Sequence, residues 1–318
     1  MTRTFIVCSV LLLTAACGAG ATPGTATTTT ITISNPANVS NVPLHLAIDK
    51  GYFAAEGLTV KADVDLGSGS TVEAVVGGQV DMAWSNVVSG LSAYAKGLGI
   101  RLVALTDTAV TGSQQVLVSK NSKARGLGDL KGQKVAVLSP STICILNVRS
   151  GLKAQGLPAD TVQFTPVAPP EHANVLDSGE VAATCTSDPF RTLMIDRLGA
   201  RPIYDTSSGE LSGYAVGGYL VSEKFAAANP KALAGFRRAL LKATAYANAN
   251  PAEVKAALPE FTTIEAGVAG KVIVNTYLET ADPVALRPQV QRIADAMVTY
   301  GLADKPIDVS GYFVPNAS

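Results

Sequence analysis

The sequence predicts an α/β protein of two lobes, each with a mainly parallel sheet flanked by helices, joined by a hinge of two crossovers. Short apolar strands alternate with amphipathic helices over residues 31–105. The same order recurs over residues 134–186, and the chain from about Phe225 onward is predicted to be mostly helical. Alternation of this kind favours parallel sheets, and two such units in series favour two lobes.

The first unit begins with a strand at residues 31–34. A helix follows from Asn41, because Asn can cap a helix and Pro43 suits its first turn. Alternating apolar residues predict a strand at 58–66, and Ser70 with Glu73 forms a capping box that starts the next helix. The remaining elements are a strand at 80–84, a helix at 87–96 and a strand at 100–105.

The second unit repeats this plan. Residues 75–86 and 176–187 superpose at a constant offset that places Cys185 on Trp84. Two Gly-containing apolar segments, near 106–117 and 212–221, are predicted to be antiparallel crossovers between the lobes. The other predicted elements are strands at 134–138, 161–166 and 181–186, helices at 143–154 and 171–176, and C-terminal helices at 230–249, 251–258, 264–277 and 284–300.

The N-terminal residues are typical of export. Arg3, an apolar run from Phe5 and a small-residue stretch ending at Cys17 have the layout of a secretory signal. Cys17 after two alanines resembles a bacterial lipoprotein signal, in which the Cys is acylated, for example with palmitate. The alternative is an ordinary cleaved signal with a chance Cys. The expectation is a protein tethered by lipid to the extracytoplasmic face of the cell membrane.

Composition sets the predicted boundaries. Residues 18–30 contain only Gly, Ala, Thr and Pro, which is typical of a flexible linker. Lys and Arg total 25, as do Asp and Glu, and no basic patch stands out, so nucleic acid is not an expected partner. The predicted divisions are a signal peptide at 1–16, a tether at 17–30, one lobe from 31–110 with 215–318, and a second lobe from 111–214.

Four stretches carry a family resemblance. They are residues 43–57 (PLHLAIDKGYFAAEG), 74–82 (AVVGGQVDM), 128–137 (GDLKGQKVAV) and 186–190 (TSDPF). With them the chain resembles the sulfonate-, nitrate- and taurine-type substrate-binding proteins of ABC importers, a group that includes thiamine-precursor-type proteins. The resemblance implies a type II periplasmic-binding fold that closes on a small solute. It also implies delivery to an ABC permease and ATPase, with a monomer and no cofactor expected.

The loops after strands are the candidate ligand sites, because ligands bind beyond the carboxyl ends of strands in open α/β sheets. Two helix N-termini with small polar residues could bind an anion or a polar head group. The alternative is that both are ordinary capped turns. These candidates are Ser68, Gly69, Ser70 and Thr71 in the first lobe, and Ser139, Ser141 and Thr142 in the second.

Further candidates end other strands or lie in a crossover. Trp84 could form a stacking wall or belong to the core. Asp188 could accept a hydrogen bond from a ligand amine or cap a helix, and Arg191 could hold an acidic group or be solvated. The full set is Asn35, Ser40, Asn41, Trp84, Ser85, Asn86, Ser187, Asp188, Arg191 and Tyr214.

Cys8 belongs to the expected signal and Cys17 is the expected lipidation site, which leaves Cys144 and Cys185. In the implied fold the strands near Cys144 and Cys185 should be neighbours, so a disulfide is within reach. The alternative is two buried free thiols.

Catalytic and metal chemistry are not expected. The sequence has only two His, His45 and His172, and no His/Cys cluster with metal-ligand spacing or Gly-x-Ser-x-Gly motif. Three alternatives stay open: binding of a thiamine pyrimidine precursor or related aromatic heterocycle, an enzyme on the same scaffold, and a sensor or adhesion lipoprotein.

Overall fold

The computed structural model describes residues 28–64, 71–280 and 282–315. Cys17, Ser68, Gly69 and Ser70 lie outside the described residues. The strands are β1 (Thr29–Ser34), β2 (Leu58–Val64), β3 (Met82–Asn86), β4 (Ile100–Leu105), β5 (Asp107–Thr108), β6 (Gln114–Val118), β7 (Lys134–Val137), β8 (Gln163–Pro166), β9 (Ala183–Ser187), β10 (Arg201–Asp205), β11 (Gly217–Ser222) and β12 (Thr276–Tyr277).

The helices pack around these strands. They are α1 (Val42–Asp49), α2 (Tyr52–Ala55), α3 (Thr71–Val76), α4 (Val87–Ala95), α5 (Ile143–Ala154), α6 (His172–Asp177), α7 (Phe190–Leu198), α8 (Glu223–Ala228), α9 (Pro230–Ala249), α10 (Pro251–Phe261), α11 (Ala266–Ala269) and α12 (Arg287–Thr299). Short 3-10 turns at Val39–Asn41, Leu127–Leu130, Pro169–Glu171 and Pro283–Leu286 complete the described secondary structure.

Two five-stranded sheets share one design. The first has the order β2-β1-β3-β11-β4 and the second the order β10-β6-β9-β7-β8. In each sheet four strands run in the same direction, and one inner strand, β11 or β6, runs against its neighbours. The predicted α/β class with two mainly parallel sheets is therefore confirmed.

Three extended segments lie between the sheets, and two of them connect one sheet to the other. The two predicted crossovers run antiparallel: Thr108 bridges Ala215, the Ala109 N–H donates to the Tyr214 carbonyl, and the Val216 N–H donates to the Asp107 carbonyl. The third segment is β12, which pairs antiparallel with β5. We name these paired segments the hinge strands.

One predicted helix is wrong. The structure has only the short α11 in the region 264–277, followed by an extended segment that ends in β12. Val272, Ile273 and Val274 form a β-branched run, and β-branched side chains favour extended backbone. Thr276 and Tyr277 pair with β5, and the Ile273 N–H donates to Asp188 Oδ2. The last predicted helix also begins later than expected, because its first turn is 3-10.

The cores lie on both sides of each sheet. Ile31, Ile33, Phe236 and Tyr219 are buried on one side of the first sheet. The cluster on its other side also contains Ile143 of α5, so the second unit packs directly against the first. This contact positions the carboxyl ends of the two sheets close to one another.

Candidate functional site

A small polar cavity lies where the two sheets meet the hinge strands. Its volume is about 40 Å³. Residues from six separated stretches of the chain surround it. They are Asn38, Val39, Ser40, Trp84, Ser113, Gln114, Ser187, Asp188, Tyr214, Val216, Ile273 and Asn275.

Five of these lining residues were candidates from the sequence: Ser40, Trp84, Ser187, Asp188 and Tyr214. The other seven were missed. Asn38 lies in a turn next to the predicted residues Ser40 and Asn41. This closeness in sequence was the signal that could have identified it. Asn275 lies in the region wrongly predicted as helix, and the β-branched run before it could have indicated an exposed strand end.

Trp84 forms one wall of the cavity. Its indole Nε1 donates to Thr106 Oγ1 at 3.2 Å. Gly217 of the opposing strand β11 allows this position, because a Cβ there would lie 2.4 Å from Trp84 Cζ2. The ring is only 4 % exposed, so it serves both as core and as cavity wall.

A buried carboxylate, Asp107, lies directly behind this wall. Thr106 Oγ1 donates to Asp107 Oδ1 at 2.6 Å, while Ser40 Oγ and Asn275 Nδ2 donate to Oδ2 at 2.8 and 2.6 Å. No described cation pairs with Asp107, so desolvation dominates and raises the pKa of its carboxyl. Asp107 thereby fixes two cavity residues from distant parts of the chain.

The opposite wall contains a second buried carboxylate, Asp188. Its Oδ1 accepts from the Thr192 N–H at 2.9 Å and its Oδ2 from the Ile273 N–H at 2.7 Å. Arg191 Nη2 lies 3.3 Å from Oδ2, and Arg191 Nη1 donates to Gln115 Oε1. Arg191 is therefore buried and paired, which corrects the alternative of a solvated side chain. Asp188 caps the start of α7, which was one of the two interpretations offered from the sequence.

Several polar atoms at the cavity have no protein partner. The Oδ1 atoms of Asn38 and Asn275 are buried and accept no hydrogen bond. Tyr214 donates to Gln114 Oε1 at 2.9 Å, and burial raises the pKa of its phenol. Because leaving a buried polar group unpaired is costly, these two amide oxygens favour a polar occupant.

Other sequence candidates lie away from this cavity. Asn41 is buried between the Tyr219 hydroxyl and the Pro36 carbonyl, and Asn86 caps α4. Ser85, Thr71 and Asn35 are buried in the first unit but do not line the cavity. Asn35 lines a separate pocket near α1.

The loop before α5 has a different environment from the one expected. The Ser141 carbonyl accepts a hydrogen bond from Ser89 Oγ of α4 at 2.6 Å. The Ser141 carbonyl therefore contacts the first unit, and Ser139, Ser141 and Thr142 are absent from the cavity lining. The convergence of two helix N-termini on one ligand stays a prediction, because the residues before α5 do not line this cavity and Ser68, Gly69 and Ser70 lie outside the described residues.

A disulfide fixes the second sheet beneath the site. The structure joins Cys144 of α5 to Cys185 of β9, with the Cα atoms 6.4 Å apart. β7 and β9 are neighbours in the second sheet, as the sequence predicted. Cys185 lies two residues before Ser187, so the crosslink holds the strand that supplies the second wall.

A family model matches most of the folded chain. The model described as NMT1/THI5 like covers residues 38–254. The chain belongs to the NMT1/THI5-like family. The match includes Asn38, Trp84, Asp188 and Tyr214 of the cavity but ends before Asn275.

Two similar proteins are named for different roles. A protein of Bacillus subtilis (strain 168), provisionally named an aliphatic sulfonates-binding protein, is 26% identical over 312 residues, covering 96% of this chain and 92% of its own length. A Saccharomyces cerevisiae 4-amino-5-hydroxymethyl-2-methylpyrimidine phosphate synthase is 27% identical over 224 residues, covering 66% of this chain and 64% of its own length.

A solved structure shows the fold. The alkanesulfonate-binding protein SsuA of Xanthomonas axonopodis pv. citri, bound to MOPS, superposes with a TM-score of 0.74 at 17% identity, covering 89% of this chain and 97% of that one. The present chain therefore has the periplasmic-binding-protein fold. Within the described residues, no helix is long and apolar enough to cross a membrane, and no His, Cys, Asp and Glu side chains form a metal-binding group.

Proposed function

We propose that the protein is the extracytoplasmic solute-binding component of an ABC importer and captures a small anionic or zwitterionic solute of the sulfonate, nitrate or taurine kind. The observation that carries the proposal is the polar cavity enclosed by both sheets and the hinge strands. The Bacillus subtilis relative, named for aliphatic sulfonates, supports the solute class.

Binding in this proposal requires two lobes that open and close. The lobes are residues 31–110 with 215–318, and residues 111–214. The strands of each sheet fall within one of these ranges, apart from the first two residues of β1. The cavity of about 40 Å³ is far below the roughly 300 Å³ of small ligand pockets. Solute therefore enters an open form, and rotation about the hinge strands closes the walls over it.

The residues in and behind the cavity walls divide into supporting and contacting groups. Asp107 and Arg191 hold other side chains in place through their hydrogen bonds. Asn38 and Asn275 contact the solute through their amides. Asn275 Nδ2 donates to Asp107, so the Asn275 Oδ1 is the atom that can accept from an ammonium group. The Asn38 amide can be rotated by 180° to donate to sulfonate oxygens, while Trp84 packs against the apolar part of the solute.

A thiamine pyrimidine precursor is the second candidate solute. The yeast relative is named as a synthase of such a compound, and the flat face of Trp84 suits an aromatic ring. We propose binding without catalysis in either case. The described cavity lining contains no His, Cys or Lys that could act as a nucleophile or base.

Binding calorimetry tests the proposal. Ethanesulfonate, taurine, nitrate and 4-amino-5-hydroxymethyl-2-methylpyrimidine would be titrated into the mature protein. Asn38→Ala should weaken binding of the preferred solute about tenfold, whereas the matched surface change Asn174→Ala should leave it unchanged. Absence of binding to all four compounds, or equal affinities of the two variants, would overturn the proposal.

The membrane anchor and the partners belong to the same proposal. Cys17 carries the acyl chains, the folded part acts as a monomer, and an ABC permease with its ATPase receives the solute. Labelling with radioactive palmitate in the bacterial cell should mark the parent protein and not a Cys17→Ala variant. Equal labelling of both proteins would contradict the anchor.

A further inference from the structure

A second pocket lies outside the cavity between the sheets. Its volume is about 360 Å³, within the range of small-ligand pockets. It is formed by the segment after β1, one side of α1, and the end of α10, and shares none of its lining residues with the cavity. The proposed transport function does not use it.

The charge of this pocket has one sign. Asp49 and Glu260 both line it, and its described lining contains no Lys or Arg. The neighbouring Lys50 is turned away, with its Nζ 3.9 Å from the centre of the Tyr246 ring and 3.6 Å from Glu253. The pocket therefore has a negative potential that favours a cation.

The two helices that supply these carboxylates add to that potential. Asp49 is the last residue of α1, and Glu260 is the second-last residue of α10. A helix C-terminus carries about half a negative charge, and acidic residues there are unfavourable without a cation nearby. Both carboxylates thus occupy positions that do not stabilise their own helices.

A buried acceptor gives independent evidence for a ligand. Asn35 lines the pocket and is 6 % exposed, and its Oδ1 has no hydrogen-bond partner. Its Nδ2 lies 2.8 Å from His45 Nε2, so the amide is held by that contact. An unpaired buried oxygen favours an occupant that donates hydrogen bonds.

The pocket also has an aromatic wall. The imidazole of His45 stacks on Phe261, with the ring centres 4.1 Å apart and the planes inclined by 14°. Aromatic faces attract cations and pack against short alkyl chains. A wall of this kind beside acceptor groups suits a ligand with both an apolar and a charged part.

We propose that this pocket is a second binding site, for a small primary ammonium compound. The polar groups that select it are the carboxylates of Asp49 and Glu260 and the Oδ1 of Asn35, all of which accept hydrogen bonds. A primary ammonium group has three N–H donors, while a quaternary ammonium ion has none. The site therefore discriminates between these two kinds of cation.

Calorimetry at low ionic strength tests the site, with 1,4-diaminobutane as the probe and tetramethylammonium as the comparison cation. The diamine should bind, and tetramethylammonium should bind at least about tenfold more weakly. A double variant, Asp49→Asn with Glu260→Gln, should weaken diamine binding about tenfold. Asp160→Asn, an exposed carboxylate far along the chain, is the matched control and should have no effect.

Imidazole NMR spectra provide a second readout, because the sequence contains only two His. The diamine should shift the His45 signals and leave those of the buried His172 unchanged. Sulfonate binding should be the same in the double variant as in the parent, so failure of this site and failure of the transport proposal are distinguishable. Absence of diamine binding, equal binding of tetramethylammonium, or an equal effect of Asp160→Asn would overturn the inference.

Discussion

The two walls of the inter-sheet cavity solve the same problem in different ways. Each buries a carboxylate at the end of a sheet. Asp107, on the first wall, is held only by neutral side-chain donors, whereas Asp188, on the second, receives two backbone N–H groups and pairs with Arg191. The first wall can therefore take up a proton, while the second is held as an ion pair and by a nearby disulfide.

One repeated plan has produced two unequal halves. β3 and β9 occupy equivalent places in the repeated plan. β3 carries Trp84 and Asn86 near its end, whereas β9 carries Cys185 and is followed by Asp188. The first wall relies on packing and neutral hydrogen bonds, and the second on charge and a covalent crosslink. The two walls should therefore respond differently to substitution, reduction and pH.

Removing the ion pair should have the largest effect. Asp188→Ala leaves Arg191 buried without its carboxylate and leaves two backbone N–H groups unpaired. Breaking one partner of a buried pair costs about 3–5 kcal/mol, so urea denaturation should show a loss of that size. Glu180→Ala, an exposed carboxylate in the same half, should change the free energy of unfolding by less than about 0.5 kcal/mol. A loss below about 1 kcal/mol for Asp188→Ala would contradict this account of the second wall.

The disulfide should have the next effect. The sequence separation of Cys144 and Cys185 is 41 residues. Closing a loop of that length stabilises by about 3–4 kcal/mol on the chain-entropy model. The Cys144→Ser/Cys185→Ser variant should lose about this much in urea denaturation. Treating the parent with a reductant should reproduce the loss, and a reductant should have no effect on the double variant. Equal stability of parent and variant would show that the second wall does not depend on the crosslink.

Acid should destabilise the second half through His172. Burial lowers the pKa of this imidazole from 6.5 to about 4. A base with a depressed pKa contributes stability above its unfolded pKa and loses it as pH falls from about 6.5 toward 4. The loss should be about 3 kcal/mol, and urea denaturation at several pH values measures it. His172→Gln should flatten this part of the profile, and an unchanged profile in that variant would contradict the role given to His172.

Asp107 should give the smallest effect. Its contribution to the free energy of unfolding should change with pH in the opposite direction to that of His172. Burial raises the pKa of this carboxyl, so the folded state binds its proton more tightly than the unfolded state. Its contribution to the free energy of unfolding therefore falls as pH rises from the unfolded pKa through the raised folded pKa. Subtracting the pH profile of Asp107→Asn from that of the parent should reveal this decline. A flat difference profile would mean that Asp107 remains ionised on the first wall.

Local elements could be predicted closely from the sequence. α5 and α9 begin and end at the predicted residues, because apolar periodicity and the residues at helix ends act within a few positions. The strand that ends in Asn86 and the one that ends in Ser187 were also placed to within two residues at their C-terminal ends. These predictions needed no information about distant parts of the chain.

The candidate site was predicted only in part. Five of the described lining residues were expected, since they follow strands or lie in a crossover. Asn275 was missed because its segment becomes extended only by pairing with β5. Ser141 was expected in the cavity, but its loop is held by Ser89 of α4. Both outcomes depend on residues far away in the sequence.

By itself the sequence determined the fold class, the repeated plan and the position of most helices and strands, since hydrophobic periodicity and capping are local properties. The tertiary structure decided which polar loops meet. It also decided that Thr276 and Tyr277 form a hinge strand and that Arg191 pairs with Asp188. It brought Asp49 and Glu260 together in the anionic pocket beside α1. Such convergence depends on how whole layers pack, and packing is set by contacts between residues that the chain order does not bring together.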